Sequence, residues 1–410
     1  MPNATPTKTP LVALNLALLI NMLSIGSLMM AMPLGADFVG PLGMRPEHIG
    51  YLSGAATLAA AAVSLLAAPW LDRCNRKHAL VALVSLRFLC LSACSLARDG
   101  TDLTVLFVLA GALSGPLSAV LMAAMLDLIP PAERGRRLAY VAMGFSLAAI
   151  IVVPFALTVS QHWSWRSPFL ITGGLGLMLA LATAWLFPTL GPASDKPRQS
   201  LTTLLSNPLC QVALLVAAVQ MAGHAALVPQ FASYFQFNLG FPRADIPELY
   251  FAGGLASIAA MRLSGSLIDR GLPVVAVVGS NLVLMTVTIA GFALNIAAPL
   301  LLVFTLFMAM SSVRFSATQA IVSLIPAADQ RAAYMALQST VVSVASGLAG
   351  MAGAGYLDST ASGALVGFDT LAWLAAAGML FAMVGLLYIL RQLRATTSTP
   401  AALATAPTGD

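Results

Sequence analysis

A dozen apolar runs constrain this chain more than any other feature. Each is about 20 residues long, which at 1.5 Å rise per residue is what a helix needs to cross a hydrocarbon core about 30 Å thick. The runs fall at roughly 11–33, 49–69, 78–97, 103–128, 138–160, 166–187, 208–231, 247–268, 273–295, 298–323, 333–356 and 368–390. Most charges lie in the short stretches between them. Only 9% of the 410 residues are charged and 59% are hydrophobic, where a soluble domain carries roughly 25% charge. The pattern predicts an all-α membrane protein with twelve transmembrane helices.

The formal net charge of +5 is spread over separate loops and forms no basic stripe, so nucleic acid is not an expected partner. Cys74, Cys90, Cys94 and Cys210 include no CxxC pair and read as small apolar residues rather than as disulfides or a metal site. The first run is longer than a secretory signal core and reads as a retained helix. Past Arg394 the Thr-, Ala- and Pro-rich tail to Asp410 reads as a disordered end.

An even number of spans puts both termini on one side of the membrane, and Lys and Arg favour cytoplasmic loops. With the N-terminus inside, the cytoplasmic set is Lys8, Arg73, Arg76, Lys77, Arg134, Arg136, Arg137, Lys196, Arg198, Arg270, Arg331, Arg391 and Arg394, and the outside set is Arg45, Arg98, Arg166 and Arg243. Thirteen against four predicts both termini in the cytoplasm. Arg87, Arg262 and Arg314 fall within runs.

Residues 188–208, with Gly191-Pro192-Ala193-Ser194-Asp195-Lys196-Pro197-Arg198, read as a cytoplasmic linker between two six-helix halves, 1–187 and 209–393. A repeat supports that division. Leu71-Asp72-Arg73 recurs as Ile268-Asp269-Arg270 at an offset of 197 residues. Leu128-Ile129-Pro130 with Arg134 recurs as Leu324-Ile325-Pro326 with Arg331, at offsets of 196 and 197. Two landmarks in one register imply halves related by an axis along the membrane normal.

At these loops the sequence resembles the major facilitator superfamily, whose signature after the second helix reads G-x-L-a-D-r-x-G-r-k. The first copy here is Ala68-Pro69-Trp70-Leu71-Asp72-Arg73-Cys74-Asn75-Arg76-Lys77, without the glycines; the second is Gly265-Ser266-Leu267-Ile268-Asp269-Arg270-Gly271. The resemblance implies two pseudo-symmetric six-helix halves. It also implies an inner gate in which Asp72 meets the start of the eleventh helix near Ala332 or Ala333, and Asp269 meets the start of the fifth near Leu138. Such a carboxylate is favoured by the positive end of a helix and by nearby guanidinium groups. The alternative is that these are solvated loop charges. The expected gating set is Asp72, Arg73, Arg76, Asp127, Arg134, Arg262, Asp269 and Arg270.

A narrower resemblance is to bacterial drug and sugar efflux permeases. It is carried by Pro130-Pro131-Ala132-Glu133-Arg134-Gly135-Arg136, by Phe145-Ser146-Leu147-Ala148 with Val153-Pro154, by Trp165-Arg166-Ser167-Pro168-Phe169, and by Arg314-Phe315 with Ala317 to Ile321 and Tyr334-Met335. It implies alternating-access export of a small organic solute, with proton antiport. Two proton-antiport marks are missing. No basic residue lies in the fourth span, where many such exporters have an arginine near the place of Gly111, and of the fifth-helix G-x-x-x-G-P-x-x-G-G signature only Pro154 is clear.

In this fold, as the resemblance implies, helices one, four, seven and ten line the central cavity. Arg314 is the leading candidate there, because a charge inside a span is costly unless paired or wetted. Ser311 and Thr318 share its face. It either binds an anionic or carbonyl-bearing part of the substrate or hydrogen-bonds backbone carbonyls as a structural residue. His224 and Gln220 share a face of the seventh span; His224 has an unperturbed pKa near 6.5 and could handle protons or simply be packed. Asn21 and Ser24, and Ser114 and Ser118, could bind a ligand or join helices. No carboxylate sits mid-span, so proton coupling would need Asp37, Asp127 or His224. Arg87 reads as structural. Gly115-Pro116 and Pro154 offer kinks. The expected partners are a small-molecule substrate, protons and the lipid bilayer, with no cofactor and no metal, and the chain is expected to act as a monomer. An intramembrane enzyme lacks a catalytic constellation here. A channel or a non-transporting sensor would share the topology.

Overall fold

The computed structural model describes residues 11–71, 73–130, 133–189, 204–326 and 330–398. Asp72, most of the expected linker and most of the expected C-terminal tail lie outside these residues. Among the described residues twelve helical stretches are long and apolar enough to cross a bilayer: Leu11–Ala31, Pro46–Leu71, Arg76–Leu96, Gly100–Leu128, Arg134–His162, Arg166–Leu186, Pro208–Asn238, Arg243–Asp269, Pro273–Ala293, Leu300–Val322, Ala333–Tyr356 and Phe368–Ala395. They coincide with the twelve apolar runs and are numbered here as spans one to twelve. Helices suit such runs because hydrocarbon offers no partner to backbone N–H and C=O groups, so each segment must satisfy its own. The side on which the first span starts is called the terminal face, and the other the far face.

The largest departure from expectation is the seventh span, which runs seven residues past its expected end at 231. Pro229 lacks an N–H and stops the regular helix at Leu227. The chain continues through a 3₁₀ turn (Val228–Gln230), one α-turn (Phe231–Ser233) and a π-turn (Tyr234–Asn238). Gln230, Ser233, Gln236 and Asn238 lower the hydropathy of that stretch, yet Phe231, Tyr234 and Phe235 keep it buried.

Both expected kinks have a structural counterpart. The fourth span divides at Leu113 into Gly100–Ala112 and Ser114–Leu128, just before Pro116. Ser114 Oγ donates to the Gly111 carbonyl at 2.6 Å, and the Arg87 guanidinium donates to the Ala110 carbonyl at 2.6 Å, so carbonyls at the break have side-chain partners. In the fifth span a π-helical segment (Ala148–Val152) precedes Pro154, relieving the clash of its ring with the preceding turn. Asn75 and Asp99 cap the third and fourth spans through their side chains.

Two compact units are distinguished, and they do not follow the sequence halves. The first comprises residues 1–196, 225–254 and 346–368, which are the first six spans with the far-face ends of spans seven, eight and eleven. Within it Gly176 packs directly on the Phe88 ring, joining the third and sixth spans where a Cβ would not fit. Phe38, Phe107, Trp165 and Phe169 form an edge-to-face and tilted cluster near the far face. A two-residue hairpin, β1 (Asp358–Ser359) with β2 (Leu365–Val366), follows the eleventh span. The Asn238 amide pairs with it as a third strand would, donating to the Leu365 carbonyl and accepting from the Leu365 N–H, both at 2.8 Å.

The second unit comprises residues 197–224, 255–345 and 369–410. Its core joins spans seven, nine, ten, eleven and twelve through Ala213, Val277, Ala317, Tyr334, Ala382 and Leu386, among others.

Candidate functional site

The second unit contains a cavity of about 220 Å³ walled by spans seven, ten and eleven. Its polar lining is Gln220, Thr318, Gln319, Gln338 and Ser339, and its apolar lining includes Met221, Phe315, Met335 and Val342. Four of these polar side chains are hydrogen-bonded across helices. Thr318 Oγ1 donates to Gln220 Oε1 at 2.7 Å, and Gln338 Nε2 donates to Gln319 Oε1 at 2.7 Å. Gln338 Oε1 is buried with no donor. The lining contains amides, hydroxyls, thioethers and a phenyl ring but no charged side chain, so it offers both donors and acceptors to an uncharged polar molecule.

Arg314 stands one turn before Thr318, and its carbonyl, 2.8 Å from Thr318 Oγ1, is the alternative acceptor for the one hydroxyl proton. The Arg314 residue is 3% exposed, its Nε has no hydrogen-bond partner, and among the described residues no carboxylate pairs with it. Ser311 Oγ, on the same face, is likewise buried and unpartnered. His224 stacks on Phe307 at 6.1 Å between centroids. The second unit therefore brings together Gln220, Thr318 and, one turn further, Arg314. Sequence reasoning passed over Gln319 and Gln338. The available signal was an amide side chain inside an otherwise apolar span, the feature that had singled out Gln220.

In the first unit the expected pathway residues are engaged with neighbours. Asn21 Nδ2 donates to the Val141 carbonyl at 2.9 Å, joining spans one and five. Ser114 is buried and bonded within its own helix at the fourth-span break. Arg87 is 1% exposed and donates to the carbonyls of Ala110 and Ser24 and to Ser27 Oγ at 2.6–2.8 Å, pinning the third span to the first and fourth.

Asp37 lies at the far face in the short helix Gly35–Leu42. Arg243, the first residue of the eighth span, grips it with two parallel bonds, Nε to Oδ1 and Nη2 to Oδ2, both 2.7 Å. Ser160 Oγ of the fifth span donates to Asp37 Oδ2 at 2.6 Å, and Arg243 Nη2 also donates to the Leu157 carbonyl. Such a two-pronged pair fixes geometry as well as charge. The residues Arg243, Ser160 and Glu47 of this face were absent from the expected site, because their partners are more than a hundred residues away in sequence or, for Glu47, because a carboxylate beside a loop looks solvated.

At the terminal face Arg76 Nε bonds Asp127 Oδ2, tying the start of the third span to the end of the fourth. Arg134 caps the fourth span by donating to the carbonyls of Leu126 and Ile129 at 3.1 and 3.2 Å. Arg73, Arg262, Asp269 and Arg270 are exposed. Among the described residues no group of three or more His, Cys, Asp and Glu could hold a metal ion.

A family model described as Major Facilitator Superfamily matches residues 14–350. A probable sugar efflux transporter from Helicobacter acinonychis is 26% identical over 141 residues, 34% of this chain and 36% of that protein. A chloramphenicol efflux pump from Mycobacterium tuberculosis is 25% identical over 276 residues, 65% of this chain and 66% of that protein. The chain thus spans about a third of the length of the sugar-efflux relatives it matches. Among solved structures, a bacterial homolog of the human lysosomal transporter Spinster superposes with a TM-score of 0.72 at 15% identity, covering 96% of this chain and 98% of that one. A D-xylose-proton symporter gives a TM-score of 0.70 at 15% identity, covering 92% and 96%. At such identities these two structures speak for the fold alone.

Proposed function

This chain belongs to the Major Facilitator Superfamily, and from that membership we propose that it exports a small, uncharged, hydroxyl- or carbonyl-bearing solute across the cytoplasmic membrane. It is a transporter rather than an enzyme. The observation that carries the substrate class is the cavity between spans seven, ten and eleven, where three glutamines and a threonine present hydrogen-bonding groups without a charge. A hydroxyl both donates and accepts, so it can meet Gln338 Oε1, which lacks a donor, and the neighbouring amides. The apolar wall of Met221, Phe315 and Met335 covers the less polar face of such a solute. Arg314, one turn away, offers further donors to a carbonyl group of the solute as the cycle proceeds. Sugars and chloramphenicol, named for the two efflux relatives, are the classes to try first.

The excess of Lys and Arg on the terminal face supports placing both termini in the cytoplasm, which makes the far face external. Coupling to protons moving inward is part of this reading. Asp269 and Arg270, with Arg73 and the Arg76–Asp127 tie, are the side chains proposed to stabilise the inner face when it closes.

Purified protein in liposomes tests the reading. Flux of a panel of sugars, chloramphenicol and a lipophilic cation is measured with and without an imposed pH gradient. The expected result is gradient-driven movement of at least one uncharged hydroxyl-bearing solute, weakened about fivefold by Gln338→Leu. Movement of the cation alone would overturn the substrate class, and flux indifferent to the gradient would overturn proton coupling.

A further inference from the structure

Spans seven and ten carry a second set of polar groups beside the cavity already described. On span ten Phe307, Ser311, Arg314 and Thr318 follow one another at intervals of four, three and four residues, which keeps them on one face of the helix. Two contacts turn that face towards span seven. Thr318 Oγ1 meets Gln220 Oε1 at 2.7 Å at one end, and the Phe307 ring stacks on His224 at the other. Ser311 and Arg314 stand between those contacts, and neither lines the cavity walled by spans seven, ten and eleven.

The hydrogen-bonding groups of these two side chains are unused. Arg314 is 3% exposed and Ser311 9%, and Arg314 Nε and Ser311 Oγ are both enclosed without a partner. The terminal nitrogens of Arg314 donate no hydrogen bond among the described residues and, unlike Nε, are not fully enclosed. An arginine side chain on a helix leans back over the preceding turn, which brings this guanidinium towards the Ser311 hydroxyl three residues before it.

Charge decides what such a site takes. Arginine stays protonated at any physiological pH, and a cation inside a span is costly without a counter-charge. Among the described residues no carboxylate pairs with Arg314. His224, close enough for the two charges to interact, can add only positive charge. One negative charge on a ligand balances the guanidinium, whereas a second would be buried unbalanced. Donors on every side, Nε–H, Nη–H and Oγ–H, call for a ligand that only accepts. A guanidinium is weakly hydrated, and beside the Phe307 ring it favours a compact ion that gives up water more readily than sulfate or phosphate does.

We propose that Arg314 and Ser311 form a binding site for a small monovalent inorganic anion, chloride in the first place, held by the guanidinium and the serine hydroxyl. The site does not rest on the export reading. In that reading a solute carbonyl takes the same donors when it displaces the anion, but the anion binds with no solute present.

The test uses the purified full chain in detergent micelles without solute. Melting is followed at fixed pH and constant ionic strength as chloride replaces gluconate, with acetate and sulfate series alongside. The expected result is a saturable rise in melting temperature of at least about 3 °C with chloride and no saturable rise with sulfate. Arg314→Leu should melt in gluconate no lower than the parent, which shows that it folds, and should lose the chloride response. Arg314→Lys and Ser311→Ala should each raise the half-saturating chloride concentration about tenfold, and these two variants decide if Arg314→Leu does not fold. A flat chloride response in the parent, or a rise that the Arg314 and Ser311 variants keep unchanged, would overturn the site. A saturable response to sulfate but not to chloride would overturn the monovalent class, and a response to acetate alone would overturn the inorganic ion in favour of a carboxylate-bearing ligand.

Discussion

Two arginines sit deep inside membrane spans of this protein, and they are treated in opposite ways. Arg87 of the third span, in the first unit, spends its guanidinium on two backbone carbonyls and a serine hydroxyl from two other spans. Arg314 of the tenth span, in the second unit, is equally buried, but its Nε is unpartnered and among the described residues no carboxylate pairs with it. The repeat sharpens the contrast. At the offset of 197 residues that relates the two Asp-Arg loops, Arg87 corresponds to Leu284 and Arg314 to Leu117, so neither charge recurs in the other half. A buried cation costs free energy wherever it stands. At Arg87 the cost is offset by fixed protein acceptors, whereas at Arg314 the Nε is left without one.

Removing Arg87 carries the largest expected effect. Arg87→Leu leaves the Ala110 and Ser24 carbonyls and Ser27 Oγ short of donors inside three packed spans. It should lower stability by about 3 kcal/mol or more, measured by denaturation in mixed micelles. Arg314→Leu should behave in the reverse sense. Stability should stay level or rise by about 1 kcal/mol, because an uncompensated charge is removed, while transport falls at least about tenfold. Equal loss of stability in the two variants would break the comparison and make Arg314 a structural residue as well.

A smaller effect distinguishes the cavity from the helix packing around it. Gln338→Leu removes the donor to Gln319 Oε1 and the unpartnered Oε1 together, in a position that is 4% exposed. Solute affinity should fall about fivefold, near 1 kcal/mol, with the rate at saturating solute nearly unchanged. Thr318→Val would then sharpen the picture. It breaks the 2.7 Å bond to Gln220 but leaves the Gln319–Gln338 pair intact, and its effect on affinity should be of similar size.

The same contrast explains what could be read without coordinates. Twelve spans were legible because length and hydropathy are local properties, and the lipid solvent leaves each run one backbone solution. The unusual status of Arg314 was legible because charge within an apolar run stands out in one dimension. What Arg87 does was not, since its partners Ser24 and Ala110 belong to other spans and are contacted through backbone carbonyls, which every residue has. Gln338 and Glu47 were missed for related reasons. A glutamine in the eleventh span carries no charge to flag it, and a glutamate four residues before Tyr51 looks like a loop residue until Gln230, 183 positions away, covers it. The two compact units were equally hidden, because the repeat divides the chain by sequence while the packing gathers the far-face ends of spans seven, eight and eleven with the first six.

The repeat itself supplies the smallest test. Arg134 and Arg331 occupy matching positions after the fourth and tenth spans, so a sequence argument would assign them one role. Arg134 donates to the Leu126 and Ile129 carbonyls, placing a cation on the negative C-terminal end of the fourth span. Arg331 is exposed and, among the described residues, has no hydrogen-bond or ion-pair partner. Its loop is one residue longer than the Arg134 loop. Arg134→Ala should therefore cost about 0.5–1 kcal/mol in the same micelle denaturation, and Arg331→Ala less than about 0.3 kcal/mol. Deleting one residue between Pro326 and Arg331 should bring the second loop into the register of the first. If the Arg331→Ala cost then rose toward that of Arg134→Ala, loop length would be what separates the two halves at this position; an unchanged cost would mean that the surrounding packing decides it.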